Sequence, residues 1–287
     1  MSAPETRNHP ASPVRPPHGL GFSTLGFLYE RSLEDTLATI AAAGYREVEI
    51  PPVEPHLLAT SASDQQLRRL RHVLDDLGLV CRSVNPLDLN LVSPNTEIRE
   101  FALRHYRAGI RLAEALGADI LNIVPGRVSP LRPMPHDDVM GLLERQIATL
   151  LDDVRRAGLT MTMETAPFGF VESTQAVVSV VRKINDPAFG VALDCANVYF
   201  IGEDPAAAVA AAGPELRFVH VSDTTRAHWG HNAIGTGEID FAAFHAALDQ
   251  AGYAGPVLYE LISRESPTDR IADERRKLEA FGWRWQA

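Results

Sequence analysis

Along most of this chain, amphipathic stretches with apolar residues three and four apart give way, after Ala-Gly or Leu-Gly, to short runs of β-branched and aliphatic side chains. The joint recurs at AAAGYREVEI (Gly44), DDLGLVCRSV (Gly78), EALGADILNIV (Gly117), RRAGLTMTME (Gly158), AAAGPELRFVH (Gly213) and DQAGYAGPVLYE (Gly252). Glycine just past a helix takes the left-handed conformation without a Cβ penalty, so each instance reads as a helix-to-strand joint. The intervals are 34, 39, 41, 55 and 39 residues. The longest covers two units, because NDPAFGVALD supplies a joint without this glycine.

The pattern predicts eight strands, near 20–24, 46–50, 79–84, 119–124, 159–164, 189–194, 216–221 and 256–261. Helices fall between them, with start signals at Ser32, at Asn95, at Asp204 followed by Pro205 in the first turn, and at Asp240. Strands alternating with helices mean a parallel sheet, and eight such units at this length predict a (β/α)8 TIM barrel. A doubly wound open sheet is the rival, but GLGFSTLGF in the first turn lacks the G-x-G-x-x-G spacing of a dinucleotide site.

The 287 residues are expected to form one barrel domain over 19–287, preceded by an arm. Residues 1–18 carry Pro4, Pro10, Pro13, Pro16 and Pro17 and almost no bulky apolar side chain, the composition of a flexible, partly extended segment. The arm lacks the apolar run of a secretory signal, and no stretch approaches the roughly 18 apolar residues of a membrane span, so a soluble cytoplasmic protein is expected. Cys81 and Cys195 are the only cysteines, which excludes a disulfide scaffold and a cysteine-rich zinc site. A net charge of -10 argues against a nucleic-acid surface, which needs a clustered basic footprint.

Four apolar runs end in a potential metal ligand: LTMTME in Glu164, GVALD in Asp194, LRFVH in His220 and GPVLYE in Glu260. In a barrel strand alternate side chains face the lumen, and functional groups collect at the C-terminal ends. Thr160, Thr162 and Glu164 share one face; Ala192 pairs with Asp194, Phe218 with His220, and Leu258 with Glu260, so all four ligands fall on the inward parity. Each alone reads as an ion pair, a cap or a core histidine. Three carboxylates brought to one rim repel one another by several kcal/mol unless a cation lies between them.

The order Glu164, Asp194 in D-C-A-N, His220 in V-H-V-S-D-T-T-R, then G-T-G-E-I-D, then Glu260 resembles the xylose-isomerase-like TIM barrels. That superfamily joins sugar isomerases and epimerases, inositol-catabolism enzymes, 3-dehydroshikimate dehydratases and endonuclease IV. The likeness covers residues 19 to about 262, with specific motifs only in the second half. It implies that Glu164, Asp194, His220 and Glu260 bind one divalent cation and that Glu164 and Glu260 also move protons. Arg226, six residues after His220, resembles the family's arginine that contacts substrate oxygens. Asn197 stands where several relatives carry histidine; it can hydrogen-bond a hydroxyl but is a poor ligand for a second metal. His231 resembles an extra ligand of endonuclease IV, yet EIPP and SVNP replace the other histidines a trinuclear zinc site needs. Glu49 and Asn85 close strands two and three, where they would line the pocket or serve structural hydrogen bonds equally well.

Three carboxylates and an imidazole form a hard, oxygen-rich set that suits Mn2+, Mg2+ or Co2+ and admits Zn2+. Such a cation acidifies the C–H beside a chelated carbonyl and stabilises the enediolate, so that the two glutamates can remove a proton from that carbon and return one to it. The expectation is an isomerase or epimerase of a small sugar, sugar phosphate or cyclitol. A dehydratase is the alternative; an endonuclease IV-like nuclease and a non-catalytic sugar-binding barrel rank lower. GTG at 235–237 is a candidate phosphate loop. The terminal FGWRWQA is expected to expose Phe281, Trp283 and Trp285, with a second copy of the chain as one candidate partner.

Overall fold

A computed structural model describes residues 20–262 and 267–283, so the 1–18 arm and Trp285 lie outside the described residues. The eight strands are β1 (Leu20–Ser23), β2 (Glu47–Ile50), β3 (Val80–Val84), β4 (Ile120–Ile123), β5 (Thr160–Glu164), β6 (Phe189–Asp194), β7 (Leu216–Val221) and β8 (Val257–Tyr259). All are parallel, in sequential order, and β8 pairs back onto β1 with Leu20 beside Val257, which closes the sheet into a (β/α)8 TIM barrel.

The helices form the outer shell: α1 (Leu33–Ala42), α2 (Asp64–Leu77), α3 (Thr96–Leu116), α4 (His136–Arg156), α5 (Thr174–Ile184), α6 (Cys195–Phe200), α7 (Pro205–Ala212), α8 (Phe241–Gln250) and α9 (Ile271–Ala280). The polar start signals act as read: Ser32, Asn95, Asp204 and Asp240 each accept a backbone N–H of the first helical turn. All six joint glycines have positive φ, from 54° at Gly213 to 91° at Gly44. The joint without glycine is made by Asn185, which ends α5 at φ 51°, because asparagine is the side chain that best tolerates the left-handed region.

Strand parity sorts the side chains into two cores. Ile120, Ala192, Phe218 and Leu258 form a small cluster of their own inside the barrel, while Met161, Met163, Val257, Tyr259 and Leu261 join the large core between sheet and helices. Gly21 lacks a side chain for a steric reason: a Cβ there would stand 1.9 Å from the Leu258 Cδ2 atom. The inward residues one step above the small cluster reach the C-terminal rim, where the ligand candidates sit.

Of the C-terminal aromatics, Phe281 is exposed as expected and Trp283 is not. Trp283 is fully buried, its ring 4.9 Å from that of His245 and 6.5 Å from that of Phe244, and Phe281 packs at 5.8 Å from Phe241. Burying Trp283 beside α8 closes the barrel's own shell, so this ring offers no dimer face. Among the described residues, no helix is long and apolar enough to cross a membrane.

Candidate metal centre and its pocket

Glu164 ends β5, Asp194 ends β6, His220 lies near the end of β7 and Glu260 follows β8, and all four are buried. One ligand atom from each lies within 4.8 Å of the other three. Register explains the convergence: Asp194 pairs directly with His220, and Glu164 lies beside Ala192, two residues before Asp194.

Each side chain is held by part of its polar surface and leaves the rest aimed inward. Asp194 caps α6, its Oδ1 accepting the N–H groups of Ala196 at 2.7 Å and Asn197 at 2.9 Å, while its buried Oδ2 has no hydrogen-bond partner. The Nε2 atom of His220 lies 3.2 and 3.1 Å from the two carboxylate oxygens of Glu49, and its Nδ1 has no partner. Glu164 accepts the Asn122 amide at 2.6 Å on Oε2 and the Asn197 amide at 3.1 Å on Oε1. Two orphaned buried atoms pointing at one another's neighbourhood fit a cation: His220 Nδ1 stands 3.9 Å from Asp194 Oδ2 and 3.8 Å from Glu260 Oε2.

The electrostatics agree. Two carboxylates 4.8 Å apart at an effective dielectric near 20 repel by about 3.5 kcal/mol, and three such groups meet here. Burial, reinforced by Glu164, Asp194 and Glu49 against the pull of His220, pushes the Glu260 carboxyl well above the usual range. Burial alone would lower the His220 imidazole, but the carboxylates of Glu49 and Glu260 outweigh it and raise it well above its ordinary value. Protons compete with a cation for the same lone pairs.

Glu49 belongs beneath the site, not on the substrate side. It is fully buried, outside the pocket lining, and bound by Ser23 Oγ at 3.1 Å as well as by His220. Burial would raise its carboxyl, yet the charge and hydrogen bond of His220 lower it. A carboxylate on the far nitrogen of a ligating histidine fixes its tautomer and ring plane.

Arg226 also lies elsewhere than expected. Its side chain is exposed, stacked 3.9 Å over the Tyr199 ring, and donates to the carbonyls of Tyr199 and Glu203. These two carbonyls, one in the last turn of α6 and one just beyond it, hold the guanidinium, which does not line the pocket. The GTG loop is likewise committed: the N–H groups of Gly235 and Gly237 donate to Asp223 Oδ2 at 2.8 and 2.9 Å, so a phosphate would find a carboxylate in its place. Gly237 is required there, since a Cβ would lie 2.2 Å from the Thr224 carbonyl oxygen.

Asn85, Asn197 and His231 do line the cavity of about 520 Å3 above the carboxylates, together with Glu164 and Glu260. Asn85 is buried with its Oδ1 unpartnered. His231 comes closer to the centre than a substrate contact requires, its Nδ1 being 3.0 Å from Ser222 Oγ, 3.2 Å from Glu260 Oε2 and 3.4 Å from Asp194 Oδ2. Asn122 and Trp229 were not singled out from the sequence. Asn122 is the one polar side chain in ILNI and shares the inward parity of Ile120, which was the available signal. Trp229, whose Nε1–H donates to Asn197 Oδ1 at 2.8 Å, carried none.

Comparison with known proteins follows this geometry. The chain is 28% identical over 263 residues to a 3-dehydroshikimate dehydratase of Pseudomonas putida, a match covering 86% of this chain and 39% of that protein. It is 25% identical over 187 residues to the L-ribulose-5-phosphate 3-epimerase UlaE of Salmonella paratyphi C, covering 64% of this chain and 65% of the relative. The chain thus spans less than two thirds of the length of either. The crystal structure of a D-tagatose 3-epimerase-like protein superposes with a TM-score of 0.80 at 20% identity, covering 92% of this chain and 96% of that one, which is a likeness of fold. The family description "xylose isomerase-like TIM barrel" matches residues 37–281, and the chain belongs to that family.

Proposed function

We propose that this protein is a divalent-metal-dependent isomerase or epimerase of a small sugar or cyclitol carbonyl compound, acting by proton transfer through an enediolate. The observation that carries the reading is that two buried glutamates, Glu164 and Glu260, belong both to the four-ligand cluster and to the wall of the pocket. Glu164, Asp194, His220 and Glu260 would hold Mn2+, Mg2+ or Co2+, with Zn2+ also accommodated. The cation supplies Lewis acidity toward a carbonyl and its neighbouring hydroxyl.

The protein's own part is positioning and proton handling. Glu164 is fixed from both sides by Asn122 and Asn197 and is the better-located group to take a proton from carbon. Glu260, which has the His231 imidazole 3.2 Å away, returns it. Asn85 and His231 meet the substrate's remaining oxygens. Support for this class comes from the relatives named as epimerases.

A dehydratase is the second reading, favoured by the 3-dehydroshikimate dehydratase that matches 86% of this chain, since an enediolate with a β-hydroxyl can lose water instead of regaining a proton. The test is incubation of Mn2+-loaded protein in heavy water with ketoses, inososes and 3-dehydroshikimate. An epimerase or isomerase places deuterium beside the carbonyl of a product of unchanged formula; a dehydratase gives a conjugated product lighter by one water. Glu164→Gln and Glu260→Gln should each abolish exchange, with metal content measured alongside. Metal-loaded protein that exchanges no carbon-bound proton on any of these compounds overturns the reading.

A further inference from the structure

The polar groups of the pocket are distributed unevenly, and most of them are already committed. The Asn197 carboxamide is spent on Glu164 and Trp229. The Asn90 carboxamide is spent on the backbone of Arg127 and Val92. Of the described asparagines lining the cavity only Asn85, which is buried just past the end of β3, offers an unpartnered buried atom. The apolar part of the wall includes Leu25, Leu87, Pro167, Trp229 and Ile262, contributed by the segments after β1, β3, β5, β7 and β8. A chain of hydroxyls laid along such a wall would leave water without regaining its hydrogen bonds.

The wall continues outward. Trp229 is 43% exposed, and Phe168, 55% exposed, packs edge-on against it at 5.8 Å, with Phe200 at 5.8 Å on its other side. Phe168 holds φ at +62°, a region bulky side chains rarely adopt. Among the described residues, no lysine lines the cavity. The amides of Gly235 and Gly237 serve Asp223, and among the described lining residues the one arginine, Arg127, is matched by one exposed aspartate, Asp88.

We propose that the substrate is an unphosphorylated α-hydroxy-carbonyl compound whose non-reacting end is apolar, a ring or alkyl substituent that lies against Trp229, Pro167 and Ile262. The inference rests on the proton-transfer chemistry of the functional reading above and departs from its sugar or cyclitol in one respect, the apolar non-reacting end. The hydroxy-carbonyl head meets the metal cluster, where Asn85 and His231 supply hydrogen bonds. The apolar end fills the part of the cavity that has nothing polar left to offer.

The test compares three ligands that differ in one group: dihydroxyacetone, its monophosphate, and the analogue in which phenyl replaces one hydroxyl. Each is titrated into Mn2+-loaded protein by calorimetry, and exchange of its carbon-bound protons in heavy water is followed by NMR. Burying one face of a phenyl ring predicts binding tighter than dihydroxyacetone by about tenfold to thirtyfold. Ile262→Ser and Trp229→Ser should each cut that advantage at least threefold. Trp229→Phe, which keeps an apolar face while losing the N–H to Asn197, should retain most of it. A monophosphate that binds more tightly than the phenyl compound, or a phenyl advantage indifferent to Ile262→Ser and Trp229→Ser, overturns the substrate class while leaving the proton-transfer reading intact. Failure of all three ligands to bind or exchange on protein shown to hold Mn2+ overturns both.

Discussion

Glu49→Gln probes the centre without touching a proposed ligand. In the native site the Nε2–H of His220 faces two carboxylate oxygens at 3.1 and 3.2 Å, so the bond is charge-assisted. Glutamine keeps the shape and one acceptor but removes the charge. A hydrogen bond to a charged group contributes about 1.5–3 kcal/mol against about 1 kcal/mol for a neutral one, so the substitution should cost roughly 1–2 kcal/mol of metal binding. That corresponds to a loss of about fivefold to thirtyfold in affinity, inside the roughly tenfold to hundredfold range seen when such outer partners are removed. The assay is competition for Mn2+ or Zn2+ against a chromogenic chelator across a pH series. An opposing effect gives the experiment its signature. Glu49 also raises the affinity of His220 for a proton, so glutamine weakens proton competition, and the deficit should be largest in alkaline solution and shrink as pH falls. Equal affinities at alkaline pH, or a deficit that grows toward acid, would refute the placement of His220 Nδ1 on the metal.

Asp194→Asn should lower metal content strongly, because a neutral amide replaces the anionic Oδ2 that faces His220 at 3.9 Å; elemental analysis of dialysed protein checks it. Chelator-treated protein should lose stability as pH rises. The folded values of His220 and Glu260 are both raised, so their contribution is fully present below the unfolded values near 6.5 and 4.5 and is lost as pH climbs through the folded ones. Melting temperatures of treated and Mn2+-loaded protein should therefore diverge on the alkaline side. Asp223→Ala strands the N–H groups of Thr224, Gly235, Gly237 and Ile239 and should cost about 3 kcal/mol or more in urea unfolding. Phe218→Ala empties the centre of the small cluster inside the barrel and should cost about 3–5 kcal/mol by the same measurement.

The fold was legible because it is written in local rules that tertiary context did not override. Six glycines ending helices, four polar caps and strict inward parity on β5 to β8 each hold in the structure, and even Asn185 obeys the joint rule with a different residue. The convergence of Glu164, Asp194, His220 and Glu260 was legible for the same reason, since strand ends of a closed barrel meet by geometry. Residues on loops were less so. The direction of the Arg226 side chain depends on where the carbonyls of α6 end, and the fate of the GTG amides depends on Asp223, twelve and fourteen residues away. Glu49 was recognised as a strand-end carboxylate, but whether it faced the cavity or a histidine 171 positions later is decided by cross-barrel packing that no local pattern encodes. Trp283 was misjudged because a terminal position does not reveal whether α8 leaves room for an indole.

Three buried carboxylates outside the ligand set share a design that sequence position conceals. Glu49 holds His220. Asp223 gathers four backbone N–H groups of its own segment and thereby shapes the 223–239 loop that carries Trp229 and His231. Glu274 of α9 accepts the N–H of Ile234 and the hydroxyl of Tyr259, each at 2.7 Å, and pairs with Lys277, so the last helix is tied both to that loop and to β8 one residue before Glu260. A buried carboxylate with one donor would be a liability, whereas one that collects two to four becomes a rigid node, because moving any partner leaves charge unsatisfied. The 223–239 loop is held by two of these nodes, which lets its contribution to the cavity wall, Trp229, be apolar and still keep its place. Rigidity supplied by buried acids and selectivity supplied by an apolar wall are then separable, and substitutions in the wall should alter which compound binds while leaving the metal centre in place.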